Sequence, residues 1–240
     1  MSKRADIVLV KRGLFESRAK AQAAIAAGLV TADGVRVRKA SDPVAEAATL
    51  SATPAHPYVS RGALKLVAAL DRFGFEPADH VCLDVGASTG GFTDVLLARG
   101  ARKVYAVDVG RDQLHARLRS DPRVVALEQT DIRALAPSAL GELPDLITAD
   151  VSFISLKLVL PALDRLTRRP AQLIALIKPQ FEAGKANVKK GIVRDAAIRA
   201  AVCDDIAVFA ASLGWQVRGV LPSPIEGGDG NREFLLAAQR

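Results

Sequence analysis

DVGASTGGFTD, residues 84–94, decides the fold class of this chain, because it places a glycine-rich turn between a buried strand and a helix. The apolar run HVCLDV (80–85) precedes the turn, and the helical pattern FTDVLLARG (92–100) comes after it. A strand, turn and helix in this order form a ligand pocket at the carboxyl end of a parallel sheet, where glycines let the backbone approach a ligand closely. The order G-x-x-x-G-G differs from the dinucleotide fingerprint, and no Gly-Lys-Ser/Thr follows, which disfavours an NAD site and a P-loop.

Strands and helices alternate in the sequence around this turn. Short runs rich in Val, Leu and Ile, separated by helical segments, lie at 103–109, 123–127, 145–150 and 171–178. A long helix is predicted from Asp195 to Leu213, and the residues from Trp215 onward predict two strands joined by a glycine-rich turn. This pattern predicts an α/β fold, with a Rossmann-like, doubly wound, mostly parallel sheet and an antiparallel terminal strand.

Residues 1–50 predict a separate, small α+β domain. Two short helices, 5–12 and 17–27, precede a hairpin at Asp33-Gly34, and Ser17 is a favourable N-cap for the second helix. The region has a net charge of +4, out of +7 for the whole chain of 240 residues, so the basic excess is concentrated there. Its arginines and lysines form either a phosphate-binding surface or an ordinary solvated face.

Composition and organisation exclude several classes of protein. Two cysteines and three scattered histidines cannot build a disulfide framework or a zinc site, so we expect no metal. The start of the chain lacks the apolar core of a signal peptide, and no run approaches the length of a membrane span, so we expect a cytoplasmic protein. Residues 51–59, with two prolines and no periodicity, predict a linker to a second domain at 60–240.

Three acidic residues end or follow neighbouring strands of the predicted sheet: Asp84, Asp108 and Asp131. The carboxyl ends of parallel strands meet at one edge, so these acids would surround the glycine turn. The combination indicates an adenosine-containing ligand without a phosphate chain, S-adenosylmethionine, although a strand-end aspartate can instead cap the next helix. The candidate cofactor-binding residues are Asp84, Gly86, Ala87, Ser88, Thr89, Gly90, Gly91, Asp108 and Asp131.

Four charged residues stand within otherwise apolar or core-like segments. Lys178 closes the run LIALI, Asp150 ends ITAD, Glu233 lies within REFLL, and Lys65 lies in the helix SRGALKLVAAL. A lysine rarely closes such a run unless its amine reaches a cleft or a carboxylate. If the two strands are neighbours, Asp150 and Lys178 lie side by side. The spacing is equally compatible with a catalytic group and with a pair of structural salt bridges.

Six segments of the chain, taken in order, resemble the signatures of one family. They are YVSRGALKL (58–66), DVGASTGGFTD (84–94), TADVSFISL (148–156), LIKPQFEAG (176–184), KKGIVRD (189–195) and REFLL (232–236). Together they resemble the TlyA (hemolysin A) family of ribosomal RNA 2′-O-methyltransferases. The N-terminal domain is similar to the αL-type RNA-binding domain of ribosomal small-subunit protein four, and the rest resembles the FtsJ-type methyltransferase fold.

The resemblance implies transfer of a methyl group from S-adenosylmethionine to the ribose 2′-hydroxyl of a cytidine. It places Asp108 at the ribose and Asp131 near the adenine of the cofactor. From the residue chemistry, Lys178 is the predicted general base, and Asp150 is predicted to orient it. One departure is His56-Pro57-Tyr58, where some members have an arginine and a tryptophan just before the VSRG segment. The implied catalytic tetrad is Lys65, Asp150, Lys178 and Glu233.

Ribosomal RNA, free or in a ribosomal subunit, is the partner that this resemblance implies. The chain resembles the shorter members of the family, which implies 23S RNA as the substrate and 16S RNA as a second option. No membrane, metal or obligate protein partner is implied. The alternatives are a binding-only ribosome assembly factor and a hemolysin or cytolysin, as the older family name suggests. The candidate RNA-binding residues are Arg4, Lys11, Arg18, Lys20, Arg36, Arg38, Lys189 and Lys190.

Overall fold

The computed structural model describes residues 2–240 and shows two compact units, the first ending at Pro57 and the second running from Tyr58 to Arg240. The first unit contains β1 (Ser2–Arg4), α1 (Ala5–Lys11), α2 (Arg18–Ala26), β2 (Val30–Ala32), β3 (Val35–Arg36), β4 (Pro43–Ala45) and β5 (Leu50–Ala52). The second contains α3 (Ala63–Phe73), β6 (Val81–Val85), α4 (Gly91–Ala98), β7 (Lys103–Val107), α5 (Ala116–Arg119), β8 (Val124–Leu127), β9 (Leu146–Ala149), α6 (Leu156–Leu166), β10 (Gln172–Ile177), α7 (Pro179–Glu182), α8 (Ala196–Ser212), β11 (Gln216–Pro222) and β12 (Phe234–Gln239).

The first unit has the two helices and the hairpin expected from its sequence. The hydroxyl of Ser17 accepts a hydrogen bond from the backbone N–H of Lys20 at 3.3 Å, which confirms the N-cap of α2. Asp33 and Gly34 both have positive φ, at 50° and 77°, as a type I′ turn between β2 and β3 requires. Residues 51 and 52, expected in the linker, instead belong to β5, because this strand pairs antiparallel with β2.

The second unit is built on one seven-stranded sheet in the order β11-β12-β10-β9-β6-β7-β8. Strands β10, β9, β6, β7 and β8 pair in parallel, whereas β12 runs antiparallel to both β10 and β11. The doubly wound, mostly parallel sheet with an antiparallel terminal strand is therefore confirmed. The last strand in the sequence does not lie at the edge, because β12 inserts between β10 and β11.

Helices cover both faces of this sheet, which explains why its central strands are continuous apolar runs. One face packs against α6 and α8 and the other against α3 and α4, giving two apolar cores. In α6 the buried residues follow the helical spacing i, i+3, i+4, i+7, as Leu156, Val159, Leu160 and Leu163 show. This packing on both faces fixes the positions of the strand ends. It therefore also fixes the positions of the residues that follow the strands.

Charged residues predicted from the sequence to form the site lie at the carboxyl ends of the parallel strands. Asp84 lies in β6, Asp108 follows β7, Asp150 follows β9 and Lys178 follows β10. Strand β12 enters at the same edge, because Ile177 pairs with Phe234 in the antiparallel ladder. Glu233, which directly precedes Phe234, is therefore brought next to Lys178.

Across residues 2–240, no helix is both long and apolar enough to cross a bilayer. Within the same described part of the chain, no group of three or more His, Cys, Asp or Glu side chains converges in a way that could hold a metal ion.

Candidate active site

The glycine turn between β6 and α4 is shaped by close backbone packing. Gly86 has φ of 82°, and a Cβ there would overlap the backbone carbonyl oxygen of Asp150. Its N–H donates a hydrogen bond to the carbonyl of Val107 at 2.8 Å, which ties the turn to the neighbouring strand. Only glycine meets both requirements at this position, because an L side chain rarely adopts this φ and has no space here.

A cavity of about 190 Å³ opens in front of the turn. Ser60 and Gly62, just before α3, form one wall, and the side-chain oxygen of Ser60 lies where a Cβ of Gly91 would be. Lys178 and Asp150 line the same cavity, with residues 86–89 of the turn between the two walls. The turn and the charged strand ends predicted from the sequence therefore belong to one site.

Asp84 lies behind the turn instead of on the cavity wall. Its carboxylate is fully buried and accepts hydrogen bonds from the N–H and hydroxyl of Thr93, at 2.9 and 2.6 Å, and from the hydroxyl of Thr148 at 3.0 Å. Burial raises the pKa of Asp84 to about 6. The carboxylate thus holds the first turn of α4 against β6, a supporting role that the sequence does not distinguish from ligand contact.

Replacement of Asp84 with asparagine is expected to make stability less dependent on pH. A folded-state pKa raised from 3.8 to about 6 means that stability is lost as pH rises through this interval, by about 3 kcal/mol in total. Asparagine can accept from Thr93 and donate to Thr148 without carrying a charge. Urea unfolding at pH 4 and pH 7.5 measures the free energy of unfolding of both proteins. Relative to the wild type, the variant should be more stable at pH 7.5 than at pH 4. A constant difference at both pH values would contradict the argument.

Neither Asp108 nor Asp131 lines the described cavity, but Asp108 hydrogen-bonds to the glycine turn. Asp108 accepts hydrogen bonds from the N–H of Ser88 at 2.8 Å and of Gly110 at 2.7 Å. Asp131 forms a two-pronged ion pair with Arg133, which lowers the pKa of the carboxyl group, and it is absent from the described lining. The arginine two residues later in the chain is the signal that could have shown this alternative partner.

Two ion pairs lie at the strand ends. The distance from Lys178 Nζ to Asp150 Oδ1 is 2.6 Å, and the same nitrogen donates a hydrogen bond to Ser152 Oγ at 2.8 Å. Lys65 Nζ lies 2.5 Å from Glu233 Oε2, although 168 positions separate the two residues. The predicted adjacency of Asp150 and Lys178 is confirmed. Lys65, Lys178 and Glu233 are buried, so their charges are sheltered from bulk water.

The segment after Asp150 carries residues that sequence reasoning missed. Ser152 lines the cavity and contacts Lys178, and Phe153 beside it is 91% exposed with φ of 63°. The Phe153 ring packs against Phe181, with 5.0 Å between the ring centroids. A large aromatic side chain left in solvent next to a buried ion pair offers a flat surface to a ligand. The motif TADVSFISL contained this signal, since a phenylalanine directly follows the strand end.

The first unit holds two candidate RNA-binding arginines in one cluster. Arg4 and Arg18 both contact the fully buried carboxylate of Asp6, and Gln22 donates to it at 2.8 Å. The contact with Arg4, supported by Arg18, holds the pKa of Asp6 well below its usual range. Two guanidinium groups on one carboxylate leave a net positive charge at the surface.

The remaining candidates differ in whether they have acidic partners. Lys11 pairs with Glu46 at 3.0 Å, and Lys20 pairs with Glu16 at 2.5 Å. The others are exposed and form no ion pair with a carboxylate that the structure describes: Arg36, Arg38, Lys189 and Lys190.

Comparisons with known proteins found similar families and relatives for both units of the chain. The family model of FtsJ-like methyltransferases matches residues 58–240, and the model of the S4 domain matches residues 3–50. The chain is 49% identical over 236 residues to the 16S/23S rRNA (cytidine-2′-O)-methyltransferase TlyA of Mycobacterium tuberculosis, covering 97% of this chain and 88% of that protein. It is 39% identical over 234 residues to Hemolysin A of Brachyspira hyodysenteriae, covering 97% and 98%. A solved structure from Streptococcus thermophilus, named as a hemolysin, is 44% identical with a TM-score of 0.79, covering 100% of this chain and 88% of that one.

Proposed function

The chain belongs to the FtsJ-like methyltransferase family, and from this premise we propose that it transfers a methyl group from S-adenosylmethionine to the 2′-hydroxyl of a cytidine in ribosomal RNA. The observation that carries the proposal is the ion pair between the buried Lys178 and Asp150 in the same cavity as the glycine turn. The S4 domain at residues 3–50 and the TlyA relative support RNA as the substrate. We propose 23S RNA as the main substrate and 16S RNA as the second candidate.

The turn and its neighbours suit the proposed cofactor. The cavity of about 190 Å³ is smaller than a typical pocket for a whole nucleoside-sized ligand, so it would hold only one end of the cofactor. The adenosine would lie outside it, along Asp108 and Val109. Asp108 offers carboxylate oxygens to ribose hydroxyls, and the 74% exposed Val109 offers an apolar surface to a flat base. When bound, S-adenosylmethionine supplies an electrophilic methyl group on a sulfonium.

Lys178 is the proposed general base. A ribose 2′-hydroxyl is a weak nucleophile, so a positioned group must take its proton as the new C–O bond forms. Lys178 in its neutral amine form would accept that proton, and Asp150 at 2.6 Å would stabilise the ammonium that results. Ser152 fixes the amine from a second direction at 2.8 Å. These contacts orient Lys178 toward the cavity, which contributes to the rate by alignment.

Lys65 and Glu233 are proposed to position the ribose. Ile177 pairs with Phe234, so Glu233 and its ion pair lie next to Lys178, where a ribose beside the cavity would meet them. Lys65 can donate to a ribose oxygen and Glu233 can accept from a neighbouring hydroxyl. The paired charges also satisfy each other when no RNA is bound, which lowers the cost of keeping them buried.

Phe153 is proposed to stack on the base of the target nucleotide. Enzymes that act on a nucleotide within folded RNA turn it out of its stack and hold it against aromatic side chains. Phe153 is exposed beside Ser152 and supported from behind by Phe181, so its free face is available.

Replacement of Phe153 with alanine is expected to lower kcat/KM for ribosomal RNA by about tenfold, because one base–aromatic stack contributes about 1–3 kcal/mol. Thermal stability should change little, since the ring is 91% exposed. Initial rates with labelled cofactor measure the effect, and Val208→Ala provides a control at a similarly exposed apolar residue. Equal losses in both variants would remove Phe153 from the substrate site.

The proposed function is tested by methyl transfer from labelled S-adenosylmethionine to large ribosomal subunits from a strain that lacks this activity. Digestion of the RNA to nucleosides should yield labelled 2′-O-methylcytidine. Small subunits assayed in parallel decide whether 16S RNA is also a substrate. Tight binding to subunits without any transfer would favour a ribosome assembly factor that only binds RNA.

A further inference from the structure

A second cavity, of about 440 Å³, lies beside the proposed catalytic group. It is formed by the start of α8 and by the connection between β11 and β12. Glu233 lines it, so the cavity shares a wall with the ion pair of Lys65 and Glu233. Much of its surface is apolar, from Pro222, Pro224, Ile225 and Phe234.

Two arginines line this cavity, together with the acidic side chain of Glu226. Arg199 is held in place because its Nη1 donates to the backbone carbonyls of Val193 and Arg194, at 3.0 and 2.6 Å. Neither Arg199 nor Arg232 forms an ion pair with a described carboxylate, and both therefore keep their charge available for an incoming anion.

The cations near this cavity differ from most others in the second unit. Elsewhere, arginines commonly have an acidic partner, as Arg102 has Glu142 and Arg117 has Asp94. In residues 184–199, by contrast, the cations have no ion-pair partner among the described residues: Lys185, Lys189, Lys190, Arg194 and Arg199. Of the cations without a described acidic partner, Arg199 and Arg232 line the cavity itself, and such cations attract a negatively charged polymer.

We propose that this second cavity binds the nucleotide next to the methylated one in the RNA. Its apolar wall suits the face of a nucleobase, and Arg199 and Arg232 suit the phosphate that joins the two nucleotides. Because Glu233 lines this cavity and also pairs with Lys65, the cavity lies next to the proposed ribose site. The proposal rests on the proposed function and adds a subsite that contributes to the choice of target.

The steric test replaces Ala200, which lines the cavity on α8, with phenylalanine. The added ring fills the space, so the KM for large ribosomal subunits should rise about tenfold, as expected for the loss of one base contact. The affinity for S-adenosylmethionine, measured by calorimetry, should stay unchanged. The matched control is Val208→Phe, on the same helix at a position that is 70% exposed and does not line the cavity.

The electrostatic test replaces Arg232 with glutamine and measures equilibrium binding to the same subunits at several salt concentrations. Loss of one phosphate contact should reduce the slope of log K against log salt by about one. Arg218→Gln, on β11 of the same hairpin and without an ion pair to a described residue, should leave the slope unchanged. This measurement needs no catalytic activity and does not depend on the folding of the Ala200 variant.

The outcomes separate the subsite from the proposed function. A normal KM for the Ala200 variant together with an unchanged slope for the Arg232 variant would overturn the subsite while the wild-type enzyme still transfers methyl groups. Absence of transfer by the wild-type enzyme would overturn the proposed function itself. Equal effects in the test and control variants would also overturn the subsite, because the cavity would then have no specific role.

Discussion

Replacement of Lys178 with alanine is expected to reduce methyl transfer to large ribosomal subunits by about a thousandfold, within the range for loss of a general base. The amine is buried, contacts Asp150 and Ser152, and faces the cavity in front of the glycine turn. Affinity for S-adenosylmethionine should change much less than the rate, because the turn itself stays intact. Single-turnover kinetics with labelled cofactor measures the chemical step directly.

The matched control is Lys185→Ala, an exposed lysine seven positions later in the chain. It should lower the rate only through weaker RNA binding, and saturating subunit concentrations should restore the rate. The Lys178 variant should stay slow at saturation. A Lys178 variant that reaches the wild-type rate at saturating RNA would show that this lysine binds substrate and does not take part in proton transfer.

Replacement of Gly86 with alanine is expected to cost about 2–4 kcal/mol in the free energy of unfolding and to abolish cofactor binding. Left-handed backbone costs a non-glycine residue about 1–2 kcal/mol, and overpacking against the carbonyl of Asp150 adds a similar amount. Relief of the overlap must move Asp150, and with it the contact to Lys178. Urea unfolding and calorimetry with S-adenosylmethionine measure the two effects.

Gly74→Ala separates the two causes. Gly74 ends α3 with φ of 67° and ψ of 32°, in the left-handed region, but a Cβ there meets no atom within 4 Å, so only the backbone cost applies. This variant should lose about 1–2 kcal/mol and keep its cofactor affinity. Similar losses at both positions would mean that the close approach of Gly86 to Asp150 contributes nothing.

The sequence predicts the sheet well because its central strands are buried on both faces. Continuous apolar runs between helical segments locate β6, β7, β9 and β10 without knowledge of their contacts. The pairing of Asp150 with Lys178 follows from the same pattern, since each residue ends one of two neighbouring parallel strands. Local pattern and strand adjacency therefore suffice for one half of the candidate catalytic group.

The rest depends on packing that no local pattern records. Lys65 meets Glu233 only because α3 packs near the strand β12, far away in the sequence. Asp84 and Asp131 end or follow strands as Asp108 does, yet Asp84 supports α4 and Asp131 pairs with Arg133. The orientation of a strand-end carboxylate is set by neighbours such as Thr93, and sequence spacing does not specify which neighbour the side chain contacts.

The position of β12 between β10 and β11 makes the last residues of the chain necessary for a continuous sheet. A chain shortened to residue 222 contains the glycine turn, Asp150 and Lys178, but it lacks Glu233 and the strand that joins β10 to β11. Lys65 then lacks its counter-charge, and β11 has no strand to pair with. We therefore expect chains that stop before β12 to be inactive in methyl transfer, although they keep the turn and the pair of Lys178 and Asp150.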